Sequence, residues 1–289
     1  MNACKTWSTP VAKEEVKPVP CALCGGERFA PSLSCEGFSY VKCSECGLVQ
    51  MNPQPVAESV KSRYGDNYLA YEIENEESFL ILQKLGLADA GFFEIERKLM
   101  ERNPKGKPKV LDVGCATGAL LGFLEGKNWQ VTGVEISPSA EYAREKRRLD
   151  VRSVTVEDCG FPDASFDVVL ASHLIEHLNR PREFIREIGR ILSPGGYFLL
   201  TTPNIDGFQS RLFGSRWRAA IFDHLYLFSV RTLKAMLKAE GFVTNGVYTW
   251  GGLAVGTAPR MVKRFADKAV KLFGIGDVML IKATRPLGL

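Results

Sequence analysis

From Lys109 onward the chain alternates short apolar runs with amphipathic ones, and that alternation constrains its fold more than any other feature. KVLDVG, WQVTGVEI, VRSVTV, FDVVLAS, GYFLLTTP and DVMLIKAT read as strands, with a less regular seventh in VTNGVYTW. ALLGFLEG, PSAEYAREKRR, RPREFIREIGRIL and SVRTLKAMLKAEG read as helices between them, the last ending in the glycine expected just past a helix. The alternation predicts an α/β architecture: a doubly wound, seven-stranded, mainly parallel sheet with helices on both faces.

The first of these strands runs straight into a Gly-rich turn, VLDVGCATG, and a helix starts near Ala119. Glycine at such a turn lets a ligand approach the backbone, and the free amides of a helix start favour a polar or anionic group. Glu135, 21 residues after Gly114, ends the second strand, where a carboxylate can accept both hydroxyls of a ribose. A nucleoside-containing cofactor follows. The motif alone also fits a turn whose glycines serve only close packing, and with Glu135 it fits a dinucleotide-binding domain.

The remaining motifs separate these readings. In order, VLDVGCATG, GVEIS, FPDASFDVVLASHLIEHL, RILSPGGYFLLTTPN and DHLYLFSVRTL resemble class I S-adenosylmethionine-dependent methyltransferases. The similarity is greatest to the subgroup with ubiquinone-biosynthesis O-methyltransferases and bacterial glycan-pathway methyltransferases, and covers roughly residues 106 to 245. The resemblance implies a Rossmann-like domain that uses S-adenosyl-L-methionine. Asp112 and the backbone from Gly114 through Cys115 and Ala116 to Gly118 would hold the methionine part, Glu135 the ribose, and Ile136 would flank the adenine. Thr155, Val156 and Asp158 would meet the adenine edge, with Ser172 and His173 lining the cofactor floor. Two positions depart from the family pattern: Ala116 stands where a glycine is usual, and Thr155 where an aspartate often accepts the adenine amino group.

Cys21-Ala-Leu-Cys24 and Cys43-Ser-Glu-Cys46, eighteen residues apart, have the spacing of a tetrahedral Zn²⁺ site. Four thiolates close the coordination sphere, so the zinc is expected to be structural. The organisation expected is a flexible tail over residues 1 to 20, a zinc ribbon over 21 to 50, a helical linker or cap over 51 to 105, and the methyltransferase domain over 106 to 289. In the linker, Phe79, Leu82 and Leu85, then Phe92, Ile95 and Leu99, recur at helical spacing.

Two of the three histidines fall in His173-Leu-Ile-Glu176-His177, which also matches an inverted zinc-protease string. Its place directly after FDVVLAS argues against that reading. Ubiquinone-pathway relatives carry Glu-x-x-Glu-His there, associated with a divalent metal, and His173 breaks that pattern. If the acceptor is a hydroxyl, His224 or His177 is the candidate base, with a packed structural histidine as the alternative for each. Arg211, Arg216 and Arg218 beside Trp217 could pair with an anionic acceptor, or form a solvated loop around a packed ring.

Net charge is +4, and the ribbon has just Arg28 and Lys42 beside three glutamates, a poor footprint for phosphate. Nucleic acid is therefore not the expected partner; a small-molecule or glycan acceptor is, in polysaccharide or cell-surface sugar biosynthesis, with methylation on oxygen. The alternatives are an RNA methyltransferase, a quinone-type O-methyltransferase, or a non-catalytic binding protein of the same fold. No run reaches the 18 to 20 apolar residues that cross a bilayer, and the first twenty residues lack a signal-peptide core, so a cytoplasmic location is expected. Residues 258–274 read as a basic amphipathic helix that packs on the domain or touches an anionic membrane surface.

Overall fold

The computed structural model describes residues 15–56, 66–104, 106–252 and 273–287, together with 261, 270 and 271. Five strands open the chain: β1 (Val16–Lys17), β2 (Phe29–Cys35), β3 (Phe38–Cys43), β4 (Val49–Met51) and β5 (Gln54–Pro55). The tail expected over residues 1 to 20 is shorter at its inner end. Val16 and Lys17 pair with Pro55 and Gln54, and the Val19 amide donates to Asn52 Oδ1 at 3.1 Å, so Val16, Lys17 and Val19 have partners for their backbone. Residues 1–14 of the expected tail lie outside the described residues.

Two helices follow, α1 (Asp66–Asp89) and α2 (Phe92–Arg102). The second buries Phe92, Ile95 and Leu99, one face at helical spacing, and Phe92 stacks on Trp129 at 4.9 Å. On α1 the outcome differs: Leu82 and Leu85 are 65% and 58% exposed, and the buried residue at its end is Leu87.

The main body then runs β6 (Lys109–Val113), α3 (Ala119–Glu125), β7 (Gln130–Val134), α4 (Ser139–Arg147), β8 (Val151–Arg152), β9 (Phe166–Ser172), α5 (Pro181–Ile191), β10 (Leu192–Pro203), α6 (Phe208–Phe213), β11 (Tyr226–Leu227), α7 (Val230–Ala239), β12 (Val243–Trp250) and β13 (Val278–Thr284). Seven strands form one sheet in the order β12-β13-β10-β9-β6-β7-β8. Only β13 runs antiparallel to its neighbours, so the sheet is mainly parallel, as the alternating pattern requires. The strand expected from VRSVTV shrinks to Val151–Arg152, because at this edge it pairs with β7 alone and the chain turns away into a 3₁₀ turn at Val156–Asp158. The expected helix at 258–274 lies mostly outside the described residues. No helix among the described residues is long and apolar enough to cross a membrane.

The second sheet draws strands from both the expected ribbon and the main body. Its order is β11-β4-β3-β2, so a strand of the main body, with Tyr226 opposite Gln50 and Leu227 opposite Val49, completes the sheet of the ribbon. Tyr40, Leu48, Val49 and Met51 are buried in one cluster with Phe184, Phe198, Leu225, Phe228 and Met236. The ribbon is too small to bury a core of its own and shares one with its neighbour.

Candidate active site and metal centre

The carboxyl ends of parallel strands leave a crevice where open α/β sheets bind ligands. Here β6, β7 and β9 end side by side at Val113, Val134 and Ser172, which brings Asp112, the Gly-rich turn, Glu135, Ser172 and His173 to one edge. The turn is pinned to β7: the amides of Gly114 and Cys115 both donate to Val134 O, at 2.8 and 3.2 Å. Gly114 and Gly118 have φ of 77° and 75°, and a Cβ on Gly118 would lie 2.6 Å from Leu149 Cδ1, so the second glycine is demanded by both conformation and space. Ala116 also sits at positive φ, 46°, which explains why a glycine suits this place; its amide donates to Glu135 Oε2 at 3.0 Å.

Glu135 is buried, and its other oxygen accepts from the Ser137 amide at 2.8 Å. Asp112 has no such partners. Both of its oxygens are buried without a hydrogen bond among the described residues, and burial together with the Glu135 charge pushes its carboxyl up to about 7. Ile136 is 46% exposed although apolar, next to this edge. Thr155 donates its hydroxyl to Asp158 Oδ2 at 2.8 Å, Val156 is buried, and Ser172 is half-buried. Sequence reasoning missed Glu72 of α1: burial pushes its carboxyl up, and it stands near enough to feel the Glu135 charge. An ion pair between Glu76 and Arg147 at 2.5 Å ties α1 to α4 along the same side.

Across β9 the chain turns sharply at His173, φ 52°, into a 3₁₀ turn carrying Glu176 and His177. Glu176 is fully buried, a second residue whose importance the sequence understated; its only hints were Ile175 and Leu178 flanking it. Its Oε2 accepts from Thr202 Oγ1 at 2.9 Å and its Oε1 lies 3.3 Å from His173 Nδ1. Burial pushes this carboxyl up, but His173, His177 and His224 outweigh it and hold it down to about 2. The rings of His177 and His224 meet edge to face at 4.7 Å. Each Nδ1 faces a backbone carbonyl, Asp223 O at 2.9 Å for His177 and Ala219 O at 2.8 Å for His224. Burial, then the neighbouring His177, lowers His224 to about 3, so it is a neutral and weakly basic imidazole at neutral pH. The arginine loop divides: Trp217 Nε1 and Arg218 Nε donate to Asp277 at 2.5 and 2.7 Å and are structural, whereas Arg211 and Arg216 are exposed.

The four ribbon cysteines converge, each Sγ within 4.8 Å of the others, with 3.4 Å between Cys21 and Cys46 and 3.5 Å between Cys24 and Cys43. A tetrahedron of zinc–sulfur bonds places sulfurs about 3.8 Å apart, so the set fits Zn²⁺. Burial raises the Cys43 thiol, but the amides of Cys46 and Glu45 outweigh it and bring it down to about 7; burial pushes Cys46 up to about 11. Amides aimed at sulfur are how each knuckle meets a thiolate.

Comparison with known proteins agrees with this geometry. The segment 91–245 matches the profile of a family described as "Methyltransferase domain". A Mycolicibacterium smegmatis protein named "Probable S-adenosylmethionine-dependent methyltransferase" is 32% identical over 152 residues, 50% of this chain and 57% of its own. A ubiquinone biosynthesis O-methyltransferase of Bradyrhizobium diazoefficiens is 34% identical over 124 residues, 41% and 49%. A malonyl-[acyl-carrier protein] O-methyltransferase of Paenibacillus sp. is 29% identical over 126 residues, 38% and 45%. The chain thus spans about half the length of these relatives. Among solved structures, a chain of the Haloferax volcanii complex between the Trm112 methyltransferase activator and a methyltransferase aligns with TM-score 0.57 at 18% identity, covering 80% of this chain and 99% of that one. A SAM-dependent methyltransferase from Thermotoga maritima aligns with TM-score 0.52 at 22% identity, covering 75% and 97%. Both share the fold. With its Gly-rich turn, its acidic strand end and just over half its length in the family profile, the chain belongs to the methyltransferase-domain family.

Proposed function

We propose that this protein is an S-adenosylmethionine-dependent methyltransferase acting on a hydroxyl oxygen of a small-molecule or glycan acceptor. The observation that carries the reading is Asp112: a buried carboxylate with two unpartnered oxygens, beside a second carboxylate, at the ligand-binding edge of the sheet. Buried polar groups are almost always paired, so this pair of atoms marks where a cationic, hydrogen-bonding ligand belongs. S-adenosylmethionine, when bound, supplies a methyl group on a sulfonium with a good leaving group behind it. Asp112 would take its ammonium, Glu135 the ribose hydroxyls, Ile136 one adenine face and Thr155 to Asp158 the adenine edge, while Ser172 and His173 line the floor.

The protein's part in the transfer is to hold the acceptor oxygen in line, exclude water and accept its proton. We assign that proton to His177 before His224, because the second is buried and weakly basic while the first is half-buried and held by Asp223 O. Two relatives named O-methyltransferases support oxygen as the acceptor atom. The four cysteines are assigned to one structural zinc ion, and a reducing cytoplasm suits them.

The test is to incubate zinc-loaded protein with methyl-labelled S-adenosylmethionine and a cell extract, then count label in RNA, lipid, glycan and small-molecule fractions. Label in the glycan or small-molecule fraction that disappears with Glu135→Ala is the expected result; label confined to RNA, or none together with no binding of S-adenosylhomocysteine, overturns it.

A further inference from the structure

We propose that the zinc ribbon is the positioning element of the acceptor side, with Tyr40 as the residue that places His224. This rests on the proposed reading of His177 and His224 as the histidines that face the acceptor. Tyr40 is 1% exposed, and its hydroxyl lies 2.8 Å from both Ile221 O and His224 O, so the ribbon reaches the backbone of the histidine itself. Leu225 is held from two directions: its carbonyl accepts from the Met51 amide at 2.8 Å, and its amide donates to Glu176 O at 2.7 Å. Phe38 meets Phe222 edge to face at 5.6 Å, and β11 pairs with β4. Segment 219–228 is thus clamped between β3 and β4 on one side and the turn of Glu176 and His177 on the other. His177 Nδ1 closes the clamp on Asp223 O.

The second cysteine knuckle links this clamp to the metal. Cys43 is the last residue of β3 and Cys46 stands three residues before β4, so the turn that zinc fixes is the turn that spaces Tyr40 from Met51. The cofactor edge is built otherwise: the hydrogen bonds of Gly114, Cys115, Ala116 and Glu135 run to β7, to Arg152 of β8, to Ser137 and to one another. Zinc therefore orders the histidine pair and leaves the cofactor edge alone.

The chain holds three histidines, grouped around Glu176, so selective ¹⁵N-histidine labelling of the full zinc-loaded protein gives three imidazole rings to follow by NMR. Amide hydrogen exchange of 219–228 and S-adenosylhomocysteine affinity are read on the same samples. In the wild type His224 stays neutral with Nδ1 protonated from pH 8 to pH 5. In Tyr40→Phe, and on chelation of zinc, exchange of 219–228 accelerates by roughly tenfold and His224 begins to titrate toward the ordinary imidazole range, while S-adenosylhomocysteine affinity changes less than about twofold. Unchanged exchange and an unchanged His224 signal in Tyr40→Phe would overturn the proposal, as would loss of cofactor affinity in step with the histidine change. Failure of the wild type to bind S-adenosylhomocysteine sinks the methyltransferase reading instead, and the histidine signals still decide the positioning role.

Discussion

The two edges of the crevice are built on opposite principles. On the cofactor side, Asp112 keeps two buried oxygens without partners among the described residues. On the histidine side, Glu176 is equally buried; its Oε2 accepts from Thr202, and its Oε1, without a hydrogen bond among the described residues, lies 3.3 Å from His173 Nδ1 in a group of three imidazoles. The first carboxylate is pushed up to about 7 and the second held down to about 2. Burial is common to both, so the difference comes from the partners. Two unmet oxygens beside a like charge leave room for a cationic ligand, whereas Glu176 has one oxygen bonded and imidazoles close by that favour its charge.

The hardest blow to the comparison is removal of zinc. A closed thiolate site contributes several kcal/mol to folding, so a chelator should lower the melting temperature by roughly 10 °C or more, and metal analysis should return one zinc per chain. Next is Glu135→Ala, which removes the ribose acceptor together with the tether on the Ala116 amide. Calorimetry should show S-adenosylhomocysteine affinity falling about a hundredfold, or about 3 kcal/mol.

Asp112→Asn sharpens the contrast because its two effects have opposite signs. The raised carboxyl costs stability as pH climbs from about 4 toward about 7, so the ligand-free variant should melt several degrees above wild type at pH 8 while binding cofactor at least about tenfold more weakly. The histidine side responds to acid instead. His224 is depressed from 6.5 to about 3, so the stability its neutral burial allows is full above pH 6.5 and is lost as pH falls toward 3. Between about pH 4 and 6.5 the two slopes oppose each other, so Asp112→Asn should expose a steeper loss of stability on acidification in melting curves. The smallest effect is Ala116→Gly, which relieves a left-handed alanine and should raise stability by about 1 kcal/mol in chemical denaturation, with cofactor affinity held.

Much of this was legible because it is local. The Gly-rich turn, Glu135 and the paired knuckles each lie within a short span whose spacing carries its own chemistry, and the strand pattern of the main sheet survived except at the edge, where VRSVTV has a partner on one side only. What stayed hidden depends on distant residues. The pairing of β4 with Tyr226–Leu227 joins segments about 180 residues apart and leaves no periodic trace in either. The burial that weakens His224 as a base is likewise invisible in its own short segment. The exposure of Leu82 and Leu85 on α1 shows the converse, since helical spacing of apolar residues says which face they share and not whether that face is covered.

The late strand of the ribbon sheet has a consequence for synthesis on the ribosome. Residues 21–51 emerge early, and β4 then waits for Tyr226–Leu227. At roughly 5 to 20 residues per second that is a delay on the order of 10 to 35 seconds. Throughout it the strand carries an open backbone edge of the kind that recruits neighbouring nascent chains. A polysome translating this message should thus be most vulnerable to misassembly in the window before codon 226, and prompt loading of metal would shorten the list of conformations that edge can sample.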